Sequence, residues 1–193
     1  MNNRLLGTIT IIICAPALLI EEPLLRGQDN APITGIASML FMAGWICSNI
    51  GMWRMRATGT GKWGRAVLLV QLVGLVLAFM FGLLEATGLL GRESMVSNVT
   101  DAAWPLSMLW MIVVCVTVIA AKRLSSWQRF VPLLCPLWLP IAITLSIAFG
   151  DTVGGIVGFG YAAVLWALLG YVVVRSDSPQ HQVLNPPFSR TVK

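Results

Sequence analysis

The chain has 193 residues, of which 57% are hydrophobic and 11% charged, with a formal net charge of +5 and a mean hydropathy of +0.81. A soluble domain carries about 25% charged residues, so this chain has too few charges to cover a water-facing surface. That excludes a soluble enzyme and a disordered chain, which needs low hydrophobicity and high charge. It also removes the usual link between a basic balance and nucleic acid, and leaves the lipid bilayer as the expected partner.

A membrane-crossing helix needs about 20 mostly apolar residues. Six segments qualify: Leu5–Leu25, Ile33–Trp53, Ala66–Thr87, Ala103–Ala121, Phe130–Phe149 and Val153–Val174. They predict an all-α integral membrane protein with one six-span domain over residues 1–174 and a disordered polar tail over 175–193. Long apolar runs without strict alternation disfavour a β-barrel. The first span also fits a secretory signal, with Ala15-Pro16-Ala17 as a small-residue cleavage site. The apolar run continues past that site to Ile20, which favours a retained helix. Glu21 and Glu22, followed by Pro23, suggest that this helix ends near Ile20.

Connections alternate sides, so the charges can be sorted. Eleven Lys and Arg fall on the side of the N-terminus, and only Arg26 and Arg92 on the other. The acids sort oppositely, with only Asp177 on the basic side. Lys and Arg are retained on the cytoplasmic side, which predicts both termini inside. Trp53, Trp63, Trp104 and Trp127 sit near span ends and fit an interfacial aromatic belt. Trp45, Trp110, Trp138 and Trp166 lie deep in spans, as packing bulk or as an aromatic wall for a lipophilic ligand.

Ser38-Met39-Leu40-Phe41-Met42 matches Ser107-Met108-Leu109-Trp110-Met111, and Trp63-Gly64-Arg65 parallels Trp127-Gln128-Arg129. This suggests that spans 2–3 and 4–5 are duplicated hairpins related in parallel. Small residues four apart mark faces where backbones approach closely: Ala43, Cys47 and Gly51 in span 2, Gly74, Ala78 and Gly82 in span 3, and Gly154, Gly158 and Ala162 in span 6. Span 5 carries Pro132, Pro136 and Pro140. Each proline lacks an N–H and crowds the carbonyl one turn earlier. Either neighbouring hydroxyls satisfy the freed carbonyls of a bent helix, or a broken helix lines a cavity.

Several chemistries lack their residues. The lone histidine, His181, lies in the tail, which disfavours bis-histidine haem, a histidine-bound zinc and a serine–histidine triad within the bilayer. Lys62, Lys122 and Lys193 lie at or beyond span ends, which disfavours a retinal Schiff base. Cys14, Cys47, Cys115 and Cys135 sit in four different spans without a CxxC pair, and read as small buried apolar residues. No cofactor is assigned. The sequon Asn98-Val99-Thr100 matters only on a eukaryotic secretory route, and the compact chain reads as a prokaryotic inner-membrane protein.

The acids remain. Asp101 before Pro105, and Asp151 with Thr152, read as helix N-caps. Glu85, Glu21 and Glu22 fall within the outer leaflet, where carboxylates are costly unless paired or hydrated. Asn49 and Gln71 lie about a turn inside the other face, placed to hydrogen-bond between spans 2 and 3. These residues predict binding or transport of a small molecule or ion through a cavity beside span 5. Its ligand candidates are Glu21, Glu22, Glu85, Asp101 and Asp151, and its lining candidates are Pro132, Pro136, Pro140, Trp138, Gln71 and Asn49. The alternative is a non-catalytic subunit of a larger membrane complex or a homo-oligomer. A third reading, an intramembrane enzyme using carboxylates on a lipophilic substrate, is the weakest, and the balance leans away from an enzyme.

Overall fold

The computed structural model describes residues 2–25, 31–88, 95–125 and 127–176, the side chains of residues 21–25, 31 and 97 excepted. These residues are all-helical, and six helices are long and apolar enough to cross a membrane. Span 1 combines an α-helix Asn3–Ile9, a π-helical stretch Thr10–Cys14 and an α-helix Ala15–Leu25. Spans 2, 3 and 4 are single helices, Ala31–Arg54, Lys62–Thr87 and Met95–Ala121. Span 5 runs from Gln128 to Phe149 in four pieces, and span 6 is Asp151–Arg175.

The described tail ends at Ser176, so His181 and most of the predicted disordered segment lie outside the described residues. Span 1 continues helically past Ile20, because Glu21 and Glu22 do not break the backbone ladder.

Two helix starts differ from expectation. Span 4 begins at Met95, so Asp101 lies in its second turn and is not an N-cap. The polar stretch around Asn98 has helix-compatible residues and no breaker before Pro105, which sits inside the helix. Span 6 is capped by Gly150 at φ +89°, with Asp151 as the first helical residue. An acid there still complements the helix dipole.

Each span packs against the next, and span 6 closes the ring against span 1 and also touches span 2. Glycines set these approaches. A Cβ on Gly170 of span 6 would lie 2.8 Å from the Gly7 carbonyl oxygen of span 1. One on Gly82 of span 3 would lie 3.0 Å from the Gly35 carbonyl oxygen of span 2. On Gly158 a Cβ would strike Ala142 of span 5. In lipid, where apolar side chains gain little by leaving the solvent, such backbone proximity supplies the dispersion contact that holds helices together. The Asn3 side chain donates to Ser176 Oγ at 3.3 Å, which brings both ends of the helical bundle to one side.

The polarity is inverted relative to a soluble protein. Ile147, Val164 and Leu109 are exposed, while Thr10, Ser48, Asn49, Gln71, Ser107 and Gln128 are buried. Thr10 Oγ1 lies 2.9 Å from the Gly44 carbonyl oxygen of span 2 and 3.1 Å from Leu6 O. The π-helical stretch ends two residues before Pro16, which lacks the N–H that would serve Ile12 O, and the ladder widens there.

Span 5 breaks where its prolines dictate. Gln128–Phe130 and Cys135–Leu137 are 3₁₀ turns flanking the α-helical turn Val131–Leu134, and Trp138–Phe149 completes the span. The tightened turns give Gln128 O a donor from Val131 N–H and Cys135 O one from Trp138 N–H. Leu134 O, which Trp138 would serve in an unbroken helix, accepts from Tyr161 Oη of span 6 at 3.4 Å. Tyr161→Phe is therefore expected to cost roughly 0.5–1 kcal/mol of stability, read as a small drop in thermal midpoint in detergent; an unchanged midpoint would count against this repair.

Candidate functional site

One cavity of about 250 Å³ takes lining residues from all six spans. Span 2 contributes Thr34, Ser38, Phe41 and Met42, and span 3 contributes Ala78, Phe81 and Glu85. Both sets repeat at three and four residues, so each is one stripe of a helix. Asp101 and Trp104, three apart on span 4, join Leu18, Trp138 and Phe159 from spans 1, 5 and 6. Glu85 lies near the C-terminal end of span 3 and Asp101 near the N-terminal end of span 4, so the cavity belongs to the acidic end of the bundle. The early start of span 4 is what makes Asp101 available to it. Glu85 is half-buried and Asp101 exposed.

The remaining wall is aromatic. Trp138 packs against Phe159 with ring centroids 5.1 Å apart, and against Trp104 at 6.0 Å. Below them, Phe41 meets Trp166 at 5.2 Å and Trp45 at 5.7 Å, and Trp45 meets Trp166 edge-to-face at 5.2 Å. Trp45 and Trp166 are fully buried. Further toward the basic end, Gly51 of span 2 packs on Val173 of span 6. The cavity is thus a cup with a carboxylate rim and an aromatic floor. Carboxylates attract a cation by charge, and indole and phenyl faces attract it through their quadrupoles.

The sequence candidates are distributed over several places. Glu85, Asp101 and Trp138 come together in the cup. The side chains of Glu21 and Glu22 lie outside the described residues. Asp151 lines a shallower groove of about 430 Å³ between spans 5 and 6, with Trp138 and Phe159 as the wall shared with the cup. Pro132 and Pro136 are buried in helix packing and Pro140 is exposed; none lines the cup, because the broken span turns Trp138 toward it instead. Asn49 donates from Nδ2 to Leu68 O at 3.1 Å, bridging spans 2 and 3 through the backbone. Gln71 takes no part in that bridge; its two amide atoms are buried without hydrogen-bond partners.

Trp104, read as a belt residue, is half-buried in the cup, whereas Trp53, Trp63 and Trp127 are exposed near span ends. Thr34, Ser38, Phe81 and Phe159 were not expected; the stripe spacing of Thr34 and Ser38 with Phe41, and of Phe81 with Glu85, was the available signal, and Phe159 carried none. The two matched pentapeptides occupy different settings: Ser38 and Phe41 line the cup, while Ser107 and Trp110 line a groove on the outside of spans 3 and 4. The four cysteines are free, and among the described residues no group of three or more His, Cys, Asp or Glu is placed to hold a metal. No protein-family model, curated protein or solved structure matches the chain.

Proposed function

We propose that this multi-pass protein binds a small organic cation in the six-span cup and carries it across the membrane. The observation behind this reading is the cup itself, a single space to which every span contributes, with Glu85 and Asp101 above a floor of aromatic rings. Its volume of about 250 Å³ falls below the roughly 300–1,000 Å³ of sites for drug-sized ligands, which suits an alkylammonium ion. The charge pattern supports an orientation with the basic end in the cytoplasm of a prokaryote and the cup facing outward. At the basic end Arg54, Arg56 and Arg65 line one pocket, in keeping with an anionic inner leaflet. In this reading spans 2–3 and 4–5 are duplicated hairpins that have diverged: the matched pentapeptide of span 2 lines the cup, whereas that of span 4 lines the outer groove.

Choline and its neutral isostere 3,3-dimethylbutanol test the proposal. The purified chain is expected to bind choline saturably, and vesicles containing it to accumulate choline faster than empty ones, while the isostere neither binds nor competes. Equal binding of the two compounds would show that charge is not recognised and would overturn the reading. Binding without uptake would remove the transport half.

A further inference from the structure

A second cavity, of about 600 Å³, opens on the outer face of the bundle between spans 3 and 4. Its walls are apolar, formed by residues such as Val70, Leu77 and Leu106. Its lining also includes two deeply buried polar side chains, Gln71 at 1% exposure and Ser107 at 3%. Gln71 Nε2, Gln71 Oε1 and Ser107 Oγ all lack a hydrogen-bond partner. Polar side chains inside a membrane bundle ordinarily bond across helices. Neighbouring groups achieve this: Trp110 Nε1 donates to Val67 O at 3.0 Å and Asn49 Nδ2 to Leu68 O at 3.1 Å. Gln71 and Ser107 stand beside these bonds without one of their own. Gly74 keeps the helices close at this point, since a Cβ there would strike Ser107 Oγ.

We infer that this groove binds a neutral, membrane-dissolved lipophile whose carbonyl or hydroxyl oxygen is held by Gln71 and Ser107. Depth selects this class. Gln71 lies nine residues inside the span that starts at Lys62, about 14 Å along the helix axis. The hydrocarbon core is about 30 Å thick, so the oxygen sought here lies well below the headgroup and ester level of a phospholipid. A charged ligand is disfavoured, because among the described residues none that lines the groove is ionisable. The Gln71 amide both donates and accepts, and the Ser107 hydroxyl does the same. Rotation of the Gln71 side chain carries its amide to the ligand oxygen, while the apolar walls take the hydrocarbon tail.

Decylbenzoquinone, binding read by quenching of tryptophan fluorescence, is a suitable probe for the full chain in phosphatidylcholine nanodiscs. Decylbenzene, with the same tail and no oxygen, serves as competitor. Gln71→Leu and Ser107→Ala are each expected to weaken quinone binding about five- to tenfold, and decylbenzene is expected to compete at least tenfold more weakly than unlabelled quinone. Val70→Phe, at an exposed position on the groove wall, is expected to weaken binding by filling the groove without entering the core. The thermal midpoint of ligand-free Gln71→Leu should equal or exceed that of the parent, because a partnerless amide loses no bond when replaced. Unchanged quinone affinity in Gln71→Leu, equal competition by decylbenzene, or cross-linking of groove residues between two copies of the chain would each overturn the inference.

Discussion

Glu85→Gln is expected to weaken choline binding by about a hundredfold, while the neutral isostere is unaffected. A carboxylate about 4 Å from a cation contributes roughly 4 kcal/mol at an effective dielectric constant near 20. Partial hydration of the half-buried Glu85 lowers that toward 2.7 kcal/mol, which corresponds to a hundredfold change in affinity. Asp101 lines the same cup but is exposed, so Asp101→Asn is expected to cost only about two- to fivefold and to lose most of that in high salt. Isothermal titration of both variants at low and high salt measures these differences. Equal effects of the two substitutions, or none from Glu85→Gln, would show that burial does not focus the charge and would remove Glu85 from the site.

Trp166→Ala should have the largest effect on stability, a loss of about 3 kcal/mol or more. Removing a large buried aromatic side chain costs about 3–5 kcal/mol in soluble cores, part of it from water transfer and part from the cavity left behind. In a membrane bundle the transfer part is small, because lipid tails are as apolar as the core, which places the expectation at the lower end. Trp166 is fully buried and holds both Phe41 and Trp45 at 5.2 Å, so its loss removes two edge-to-face contacts at once. Trp166→Phe should be far milder, since it retains a ring and deletes an indole N–H that has no partner. Trp166→Ala should also open the floor of the cup. Vesicles carrying it are expected to lose preloaded choline without saturation, unlike those carrying the parent chain. A destabilised variant that stays tight would assign the aromatic cluster to packing alone.

Much of the architecture can be read directly from the residues. Hydrocarbon thickness converts each 19- to 22-residue apolar run into a span, and all six candidate runs are helical in the structure. Proline chemistry likewise foretells the breaks in span 5, because a missing N–H is a property of the residue and not of its surroundings. The Tyr161 repair of Leu134 O was not legible, since the residues are 27 apart and nothing local pairs them. The start of span 4 was also missed, because polar residues such as Asn98 and Thr100 resemble a loop in hydropathy while having no objection to a helix. That difference moved Asp101 from a helix cap to the rim of the cup.

The sequence determined on its own what depends on single residues and on the lipid solvent: the number of spans, their approximate ends, the separation of basic and acidic sides, and the places where span 5 could not remain regular. Tertiary structure decided which stripes face one another. Small-residue stripes mark faces where a helix approaches another, but an apolar helix in lipid has no amphipathic pattern that names the partner, so the sequence does not say which stripe meets which neighbour. The packing of neighbouring spans brings Glu85, Asp101 and Trp138 of spans 3, 4 and 5 into one cup and leaves Gln71 and Ser107 of spans 3 and 4 beside a groove without partners, while spans 6 and 1 meet backbone to backbone at Gly170 and Gly7.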